Sequence, residues 1–413
     1  MDINNQQNYG ELRISVISSV ALIPIEGATV TIAYTESPAE PVFVDTTDSS
    51  GETGVIQLTA PPFNYSQAPS EIQPYTDYNI TVEAEGYEPV LVSGTEILPD
   101  RRAIQLIRMN PLEATEGEEI VVIPVHTLFG EYPPKIPEDE IKPMAETGEI
   151  VLSRVVIPEY VIVHDGVPSD STAPNYWVRY KDYIKNVASC EIYATWPEAA
   201  LYANILAIMS FTLNRVYTEW YRNQGYDFTI TSSTAYDQKW IYGRNIFENI
   251  DILVDNVFAN YLSRPGVRQP ILTSYCDGER VTCSGLSQWG SRYLGDEGYS
   301  AIEILRYFYG NDMYINTAEV ISGVPSSFPG YNLTIGSSGD KVRQLQNQLN
   351  RIARNYPAIP TITADGIYGP ATAETVRTFQ GIFNLPQTGV TDYATWYEVS
   401  DIYVGVSRIA EPS

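Results

Sequence analysis

The stretch Val187-Ala-Ser-Cys-Glu191-Ile-Tyr-Ala-Thr-Trp196-Pro197-Glu-Ala-Ala-Leu201 joins two helical patterns, and its reading decides the fold of the middle of the chain. Upstream, Asp182 to Cys190 carries Tyr183, Ile184, Val187 and Ala188 at helical spacing, which predicts a helix with one buried stripe. Downstream, Pro197 suits the first turn of a second helix that runs to about Arg222. Leu201, Ile205, Leu206, Ile208, Met209, Phe211 and Leu213 cover most of that helix. A helix apolar on nearly all sides belongs at the centre of its domain. Glu191 then falls on the connection just ahead of the buried helix. A carboxyl group in partial apolar burial keeps its proton to higher pH and can serve as a general acid. On residue type alone, a Glu near a helix start is more often an N-terminal charge or cap, and Glu198 and Glu219 compete with Glu191.

Toward the N-terminus the period changes from helical to two. Leu12-Arg-Ile-Ser-Val-Ile17, Ala28-Thr-Val-Thr-Ile-Ala33 and Tyr78-Asn-Ile-Thr-Val-Glu-Ala84 alternate, with turn signals at Asp48-Ser-Ser-Gly51 and Glu85-Gly-Tyr87. Such short alternating strands predict a β-sandwich over residues 1–111. Residues 112–155 lose regularity. Glu131-Tyr-Pro-Pro-Lys-Ile-Pro-Glu-Asp-Glu-Ile-Lys-Pro143 is rich in proline and charge, which predicts an exposed linker. Proteolysis concentrates in such linkers, so a processing site is expected at Arg154–Val155, implying an activating protease as partner.

The 413 residues exceed one ordinary core, so two or three domains are expected. The formal net charge of −26 excludes nucleic acid and anionic lipid as partners, because few cations are in surplus. The 31 tyrosines suit sugar rings with their flat faces and hydroxyls, though most should be packing positions. The opening residues Met1 to Gly10 have neither a basic start nor an apolar stretch, so no secretory leader is expected, and no apolar run is read as membrane-spanning. His126 and His164 leave few ligands for a metal, so neither metal nor cofactor is expected. Cys276 and Cys283 are either a local disulfide or two thiols, and Cys190 reads as a small buried hydrophobe.

The stretch from Val187 to Leu201 resembles the opening signature of the sporulation stage II protein D family, "V-V-x-x-E-M-P" followed by "W-P-x-E-A-L-K-A-Q-A". The family's closing signature is similar to Gly285-Leu-Ser-Gln288-Trp289-Gly290-Ser291 and Gly298-Tyr-Ser-Ala-Ile-Glu-Ile304-Leu305-Arg-Tyr-Phe-Tyr309-Gly310. The resemblance covers residues 158–318, and the catalytic domain is assigned to 156–322. It implies a mixed α+β domain and a lytic transglycosylase that cuts MurNAc–GlcNAc bonds and leaves a 1,6-anhydro sugar. It puts the catalytic acid on Glu191 and matches Gln288 to a family glutamine, which reads equally as a sugar-binding amide or a structural amide at a turn. Tyr193 and Trp289 are candidate sugar platforms or, more often, core residues, and Ser287 is a further candidate substrate contact. One carboxyl group suffices for that chemistry, whereas ordinary glycosidases need two. Departures stand at Tyr202, Asn204 and Met209, where the family has Lys, Gln and Arg, and at Ile192-Tyr193, where it has Met-Pro.

Further on, Leu333-Thr-Ile-Gly336-Ser-Ser-Gly339-Asp-Lys-Val342-Arg-Gln-Leu345-Gln346-Asn-Gln-Leu349 leads from glycine turns into an amphipathic helix. Asp365-Gly-Ile-Tyr-Gly-Pro370-Ala-Thr372, a second helix through Val376, Phe379 and Gln380, and Asp392-Tyr-Ala-Thr395-Trp396 complete the pattern. It is similar to the peptidoglycan-binding domain 1 family, which implies a small helical bundle over 325–413 with Asp365, Tyr368 and Gln380 as candidate ligand contacts. Pieces of the N-terminal part (residues 24–30, 47–51 and 82–87) resemble the carboxypeptidase regulatory-like, prealbumin-type sandwich.

The order of these parts resembles the clostridial spore cortex-lytic enzymes, made as precursors in sporulation and trimmed at germination. That resemblance implies glycan strands of the spore cortex as substrate, a location in the cortex and coat region, and an N-terminal region that restrains the enzyme. The alternatives are an N-acetylmuramoyl-L-alanine amidase, which commonly needs zinc and histidines, and a non-catalytic wall-binding scaffold or amidase activator.

Overall fold

The computed structural model describes residues 8–20, 22–112, 119–128, 130, 132–142, 154–318, 320–322 and 328–407. Among them are eight α-helices and several separate sheets, a mixed α/β architecture. The alternating N-terminal segments form strands β1 (Asn8–Ser18), β2 (Thr29–Tyr34), β3 (Pro41–Thr46), β4 (Ile56–Ala60), β5 (Thr76–Glu83), β6 (Val90–Ile97) and β7 (Arg102–Met109). Alternate residues leave one side of each strand for the core, so Leu12, Ile14 and Val16 of β1 are fully buried, as are Val30, Ile32, Ile80 and Val82 across from them. One sheet has the order β4-β1-β7, the other β3-β2-β5-β6, and β6 packs against β1, β4 and β7.

Two additions make this sandwich part of its surroundings. Strand β8 (Glu119–Val122), in the stretch read as linker, pairs in parallel with β6. Ile246–Phe247, from the middle of the chain, pairs antiparallel with Ile104 and Ala103 of β7. The sandwich therefore does not end at residue 111.

The expectation of an exposed linker is likewise overturned for its described residues. Val121, Ile123 and Leu128 are buried. Glu138 forms a two-pronged pair with Arg215, at 2.8 and 2.6 Å, and Glu140 another with Arg264, at 2.6 and 2.7 Å. The acidic residues that suggested solvent find buried or half-buried arginines instead, a long-range match that composition does not reveal. Residues 113–118, Phe129, Glu131 and 143–153 of that stretch lie outside the described residues.

In the middle of the chain are α1 (Tyr180–Glu191), α2 (Glu198–Tyr217), α3 (Glu248–Val257), α4 (Gln288–Asp296) and α5 (Ala301–Tyr309). Helix α2 packs against the other four, the central position its apolar surface predicts. By length and composition it is the one helix among the described residues that could cross a membrane, yet most of it is buried inside the protein. Pro197 caps α2 rather than opening its first turn, and the helix stops at Tyr217, short of Arg222. Glu219, with φ of 47°, adopts the left-handed conformation just after the helix end. Val156–Ile157 pairs with Val320–Ile321, so the two ends of this block meet in one small sheet.

The last module is α6 (Asp340–Ile352), α7 (Pro370–Ile382) and α8 (Tyr393–Ser407). It is docked on the rest: Phe258 meets the rings of Tyr393 and Tyr397 at 5.5 and 5.3 Å. Lys181 of α1 joins Asp255 at 3.3 Å and also reaches Glu398 of α8.

Candidate active site

Glu191 is the last residue of α1, not a residue of the connection, and only 9% of its surface is exposed. Each carboxylate oxygen has a protein donor. Oε1 accepts the Lys239 backbone N–H at 2.8 Å and the Tyr275 hydroxyl at 3.4 Å. Oε2 accepts from Gln288 Nε2 at 3.1 Å, and the same nitrogen donates to the Glu191 carbonyl at 2.8 Å. No other carboxylate shares these hydrogen bonds among the described residues.

Local folding explains how the donors converge. Tyr275–Cys276 pairs in parallel with Leu286–Ser287, and Gln288 opens α4 directly after it. A disulfide between Cys276 and Cys283 staples the intervening loop, with Cα atoms 6.1 Å apart, and decides between the two readings of these cysteines. The Asp277 carboxylate accepts the backbone N–H groups of Glu279 and Val281 in the same loop, at 3.1 and 2.8 Å. Tyr275 and Gln288 thus arrive beside each other from a turn too tight to let them part.

Gln288 is the predicted residue that the structure brings to Glu191; it is buried and holds the carboxylate directly. The other three predicted sugar contacts are corrected. Tyr193 and Trp289 are 9% and 1% exposed and pack with Trp196 in an aromatic core, Trp196 and Trp289 centring 4.9 Å apart. The Tyr193 hydroxyl accepts the Leu128 N–H at 2.9 Å. Ser287 caps α4, its Oγ accepting from the Gly290 N–H at 2.9 Å. Rings needed for packing are unavailable as sugar platforms.

Three groups near Glu191 went unforeseen: the Lys239 amide, Tyr275 and the segment 126–142. A backbone N–H carries no sequence signal, and the segment read as solvent. His126 Nε2 contacts the Cys190 carbonyl at 2.7 Å, and the Lys135 ammonium lies over the Tyr275 ring at 4.6 Å while donating to the Asp237 carbonyl at 2.6 Å. Burial lowers the pKa of Lys135, an effect the charges of Glu191 and Asp237 oppose. Burial, aided by Glu191's charge, pushes Tyr132 up to about 12. These side chains lie within electrostatic reach of Glu191 and cover the end of α1. Cys190 is buried and free of disulfide, its thiol pushed up to about 12 by burial, so it makes a poor nucleophile.

His164 binds the Asn175 side chain and the Val167 carbonyl, at 2.8 and 3.2 Å, away from His126. No group of three or more His, Cys, Asp or Glu is placed to hold a metal among the described residues. At the predicted processing bond, Arg154 is exposed but Val155 is 6% exposed, and Val156 already lies in a strand. A protease that binds an extended segment on both sides of that bond would have to peel Val155–Ile157 away first.

In the helical module the three predicted contacts are turn-building residues instead. Tyr368 is fully buried and donates to the Gly389 carbonyl at 3.0 Å, its hydroxyl pushed up to about 12 by burial. Gln380, also buried, accepts the Gly389 N–H at 2.8 Å and donates to the Val390 carbonyl at 2.9 Å and to Thr395 Oγ1 at 3.0 Å. Gln346 repeats that arrangement with the Gly366 N–H at 2.8 Å, the Ile367 carbonyl at 3.0 Å and Thr372 Oγ1 at 3.1 Å. The module is thus two turns, each locked by one buried glutamine. Asp365 is exposed; its carboxylate accepts the Ile367 N–H at 2.8 Å, which holds it below the usual range.

Residues 338–398 match the family PG_binding_1, described as "Putative peptidoglycan binding domain". The C-terminal module thus contains a peptidoglycan-binding domain of that family over residues 338–398. No curated protein matches the chain. Among solved structures, a mutant catechol 1,2-dioxygenase of Acinetobacter radioresistens is 13% identical over 28% of this chain and 58% of its own, with a TM-score of 0.18. The 3-chlorocatechol 1,2-dioxygenase of Rhodococcus opacus 1CP is 11% identical over 30% and 62%, with a TM-score of 0.16. The chain spans less than two thirds of either dioxygenase, and overlaps this slight carry no argument.

Proposed function

We propose that the chain is the precursor of a peptidoglycan lytic transglycosylase that cleaves MurNAc–GlcNAc linkages, with Glu191 as its single acid and base. The observation that carries this reading is one buried carboxylate, at the end of a helix, held by Gln288, Tyr275 and a backbone N–H, with no second carboxylate bonded to it among the described residues. In the first half of the reaction the Glu191 carboxyl gives its proton to the departing glycosidic oxygen. In the second the carboxylate takes the proton of the 6-hydroxyl as that oxygen bonds to C1, closing the 1,6-anhydro ring without water. Gln288 and Tyr275 keep the carboxyl oriented through both halves.

The N-terminal region is read as a prealbumin-like sandwich that restrains the enzyme, and residues 126–142 across the end of α1 support this. Spore cortex is the proposed substrate and location, with the helical module holding the enzyme on it. Removal of the N-terminal region by a protease, at or near Arg154, is the proposed activation.

A second reading, a wall-binding scaffold without catalysis, is favoured by the fact that protein donors already occupy both Glu191 oxygens. The full chain and its 155–413 fragment, each incubated alone with cortex peptidoglycan, separate the two. Fragments ending in 1,6-anhydro-MurNAc, absent with Glu191→Gln, are expected from the shortened form. Intact glycan with retained binding would leave the scaffold.

A further inference from the structure

Segment 239–247 touches Glu191 at one end and is a strand of the sandwich at the other. At the first end, the Lys239 N–H donates to Glu191 Oε1 at 2.8 Å. Two residues on, Ile241 exchanges two hydrogen bonds with the Asn186 side chain, its N–H to Oδ1 at 3.1 Å and Nδ2 to its carbonyl at 2.8 Å. Asn186 is in α1, so this end of the segment and the Glu191 carboxylate are fixed on one helix.

At the other end the sandwich closes on it from several strands. Gln105 donates to the Gly243 carbonyl at 2.9 Å. Gly243 has φ of +68°, and a Cβ there would stand 2.3 Å from Val121 of β8, so neither backbone nor packing tolerates a side chain. Arg244 forms a buried two-pronged pair with Glu96, at 3.0 and 2.8 Å, and the Asn245 side chain binds both the N–H and the carbonyl of Glu96, at 2.9 and 3.1 Å. Ile246–Phe247 then joins the sheet beside β7.

We propose that the sandwich acts on Glu191 through residues 239–247, keeping Oε1 occupied by the Lys239 N–H, and that a cut between residues 142 and 155 leaves this hold in place. Its effect on activity rests on Glu191 being the acid; the hold itself rests on contacts alone. The sandwich groups that grip the segment, from Glu96, Gln105 and Val121 to β7, lie upstream of such a cut, as do Glu138 and Glu140, which grip Arg215 and Arg264. Downstream, Val156–Ile157 stays anchored to Val320–Ile321. Cutting the linker and freeing Glu191 are therefore separate events, and departure of the N-terminal piece is the activating one.

The test uses the full chain with a site-specific protease sequence inserted within 143–153. After cutting, the two pieces are expected to co-elute on size exclusion at micromolar concentration, with Lys239 amide exchange as slow as in the intact chain. In the cut Glu96→Gln and Gly243→Val proteins the Lys239 amide should exchange about tenfold faster while amides of α5 stay protected. A urea series on the cut wild type gives the same reading without substitution: Lys239 exchange must rise where the pieces part, before α5 loosens. Pieces that separate on cutting alone, or a Lys239 amide still protected once they have parted, would overturn the proposal. Turnover is scored separately. A parted, deprotected enzyme that leaves glycan intact sinks the catalytic role of Glu191 but not the hold.

Discussion

Helix α1 carries buried charge at both ends, and the two ends are managed in opposite ways. Near its start, Lys181 and Lys185 are enclosed by carboxylates: Lys185 lies 2.5 Å from Asp251 and 3.0 Å from Asp255, and Lys181 lies 3.3 Å from Asp255. Burial by itself lowers a lysine pKa, and the surrounding carboxylates outweigh it and leave both lysines raised. At its end, among the described residues, Glu191 is bonded by no cation but by an amide, a hydroxyl and a backbone N–H. A full ionic partner would tie a carboxylate into one charge state. Neutral donors orient it without pairing it to a charge. The start of the helix is built to stay charged, and its end can be built to react.

The largest effect expected from breaking this contrast is on chemistry. Glu191→Gln keeps the shape and can still accept the Lys239 N–H through its one amide oxygen, but its NH2 cannot accept from Gln288 and it cannot give or take the proton. Loss of general acid–base action should lower glycan cleavage by roughly 10²–10⁴-fold, read as anhydro-fragment release by mass spectrometry. Its stability should fall only modestly, by the ~1–3 kcal/mol of one mismatched buried hydrogen bond. A large loss of stability with activity intact would put Glu191 in the same class as the lysines.

At the other end the expected effect is on stability. Lys185→Met leaves Asp251 and Asp255 facing each other in the interior, and breaking a buried ion cluster in this way costs ~3–5 kcal/mol. Urea denaturation of the variant should show it directly. Replacing Lys185 and Asp251 together by apolar residues should recover much of the loss, since no uncompensated charge remains between them. If the double variant is no better than the single, the cluster is held by packing rather than by charge.

Gln288 sharpens the comparison from the neutral side. Gln288→Leu removes a donor from Glu191 Oε2 and from the α1 terminal carbonyl, leaving buried acceptors unmatched at ~1–3 kcal/mol. Because the carboxyl would also lose its orientation, cleavage should fall beyond what the folded fraction explains. Gln288→Glu, which sets a second carboxylate beside the first, should be worse for activity than Gln288→Leu.

What the chain's sequence foretold follows from which interactions are local. The apolar run of α2 and the alternation of β1 are nearest-neighbour patterns, so both were readable, and so were the glycine turns that lead into α6. The meeting of Gln288 with Glu191 came only through family signatures. The Lys239 amide had no signal at all, because a backbone group looks alike in every residue. Segment 126–142 misled for a physical reason. Prolines and acids normally mean solvent, but Glu138 and Glu140 are there to meet Arg215 and Arg264, far along the chain. Tyr193 and Trp289 misled in the other direction, since an aromatic residue beside an acid serves packing as readily as sugar.

The smallest expected effect concerns the histidine that covers the reactive end. His126 Nε2 lies 2.7 Å from the Cys190 carbonyl, one residue before Glu191, where a helix C-terminus would welcome a positive charge. Burial outweighs that attraction, and the Arg244 charge adds to it, so the imidazole is lowered to about 3. The folded protein thus keeps His126 neutral while the unfolded chain takes up a proton near pH ~6.5. The stability this gives is complete above that value, declines as the pH falls, and stops declining near the folded pKa of about 3. At pH 5 full linkage would amount to ~2 kcal/mol, and the partial exposure of the ring trims it to ~1. Denaturation midpoints at pH 7 and pH 5 should differ more in the wild type than in His126→Gln, whose side chain has no proton to gain. An equal slope in both would detach His126 from the acid response and move it to Glu138, whose carboxyl is raised by burial but brought below the usual range by Arg215 and Lys142. Because the histidine lies in the segment that covers α1's end, the same acidification should quicken exchange of amides around residues 126–128 before it reaches the lysine end of the helix.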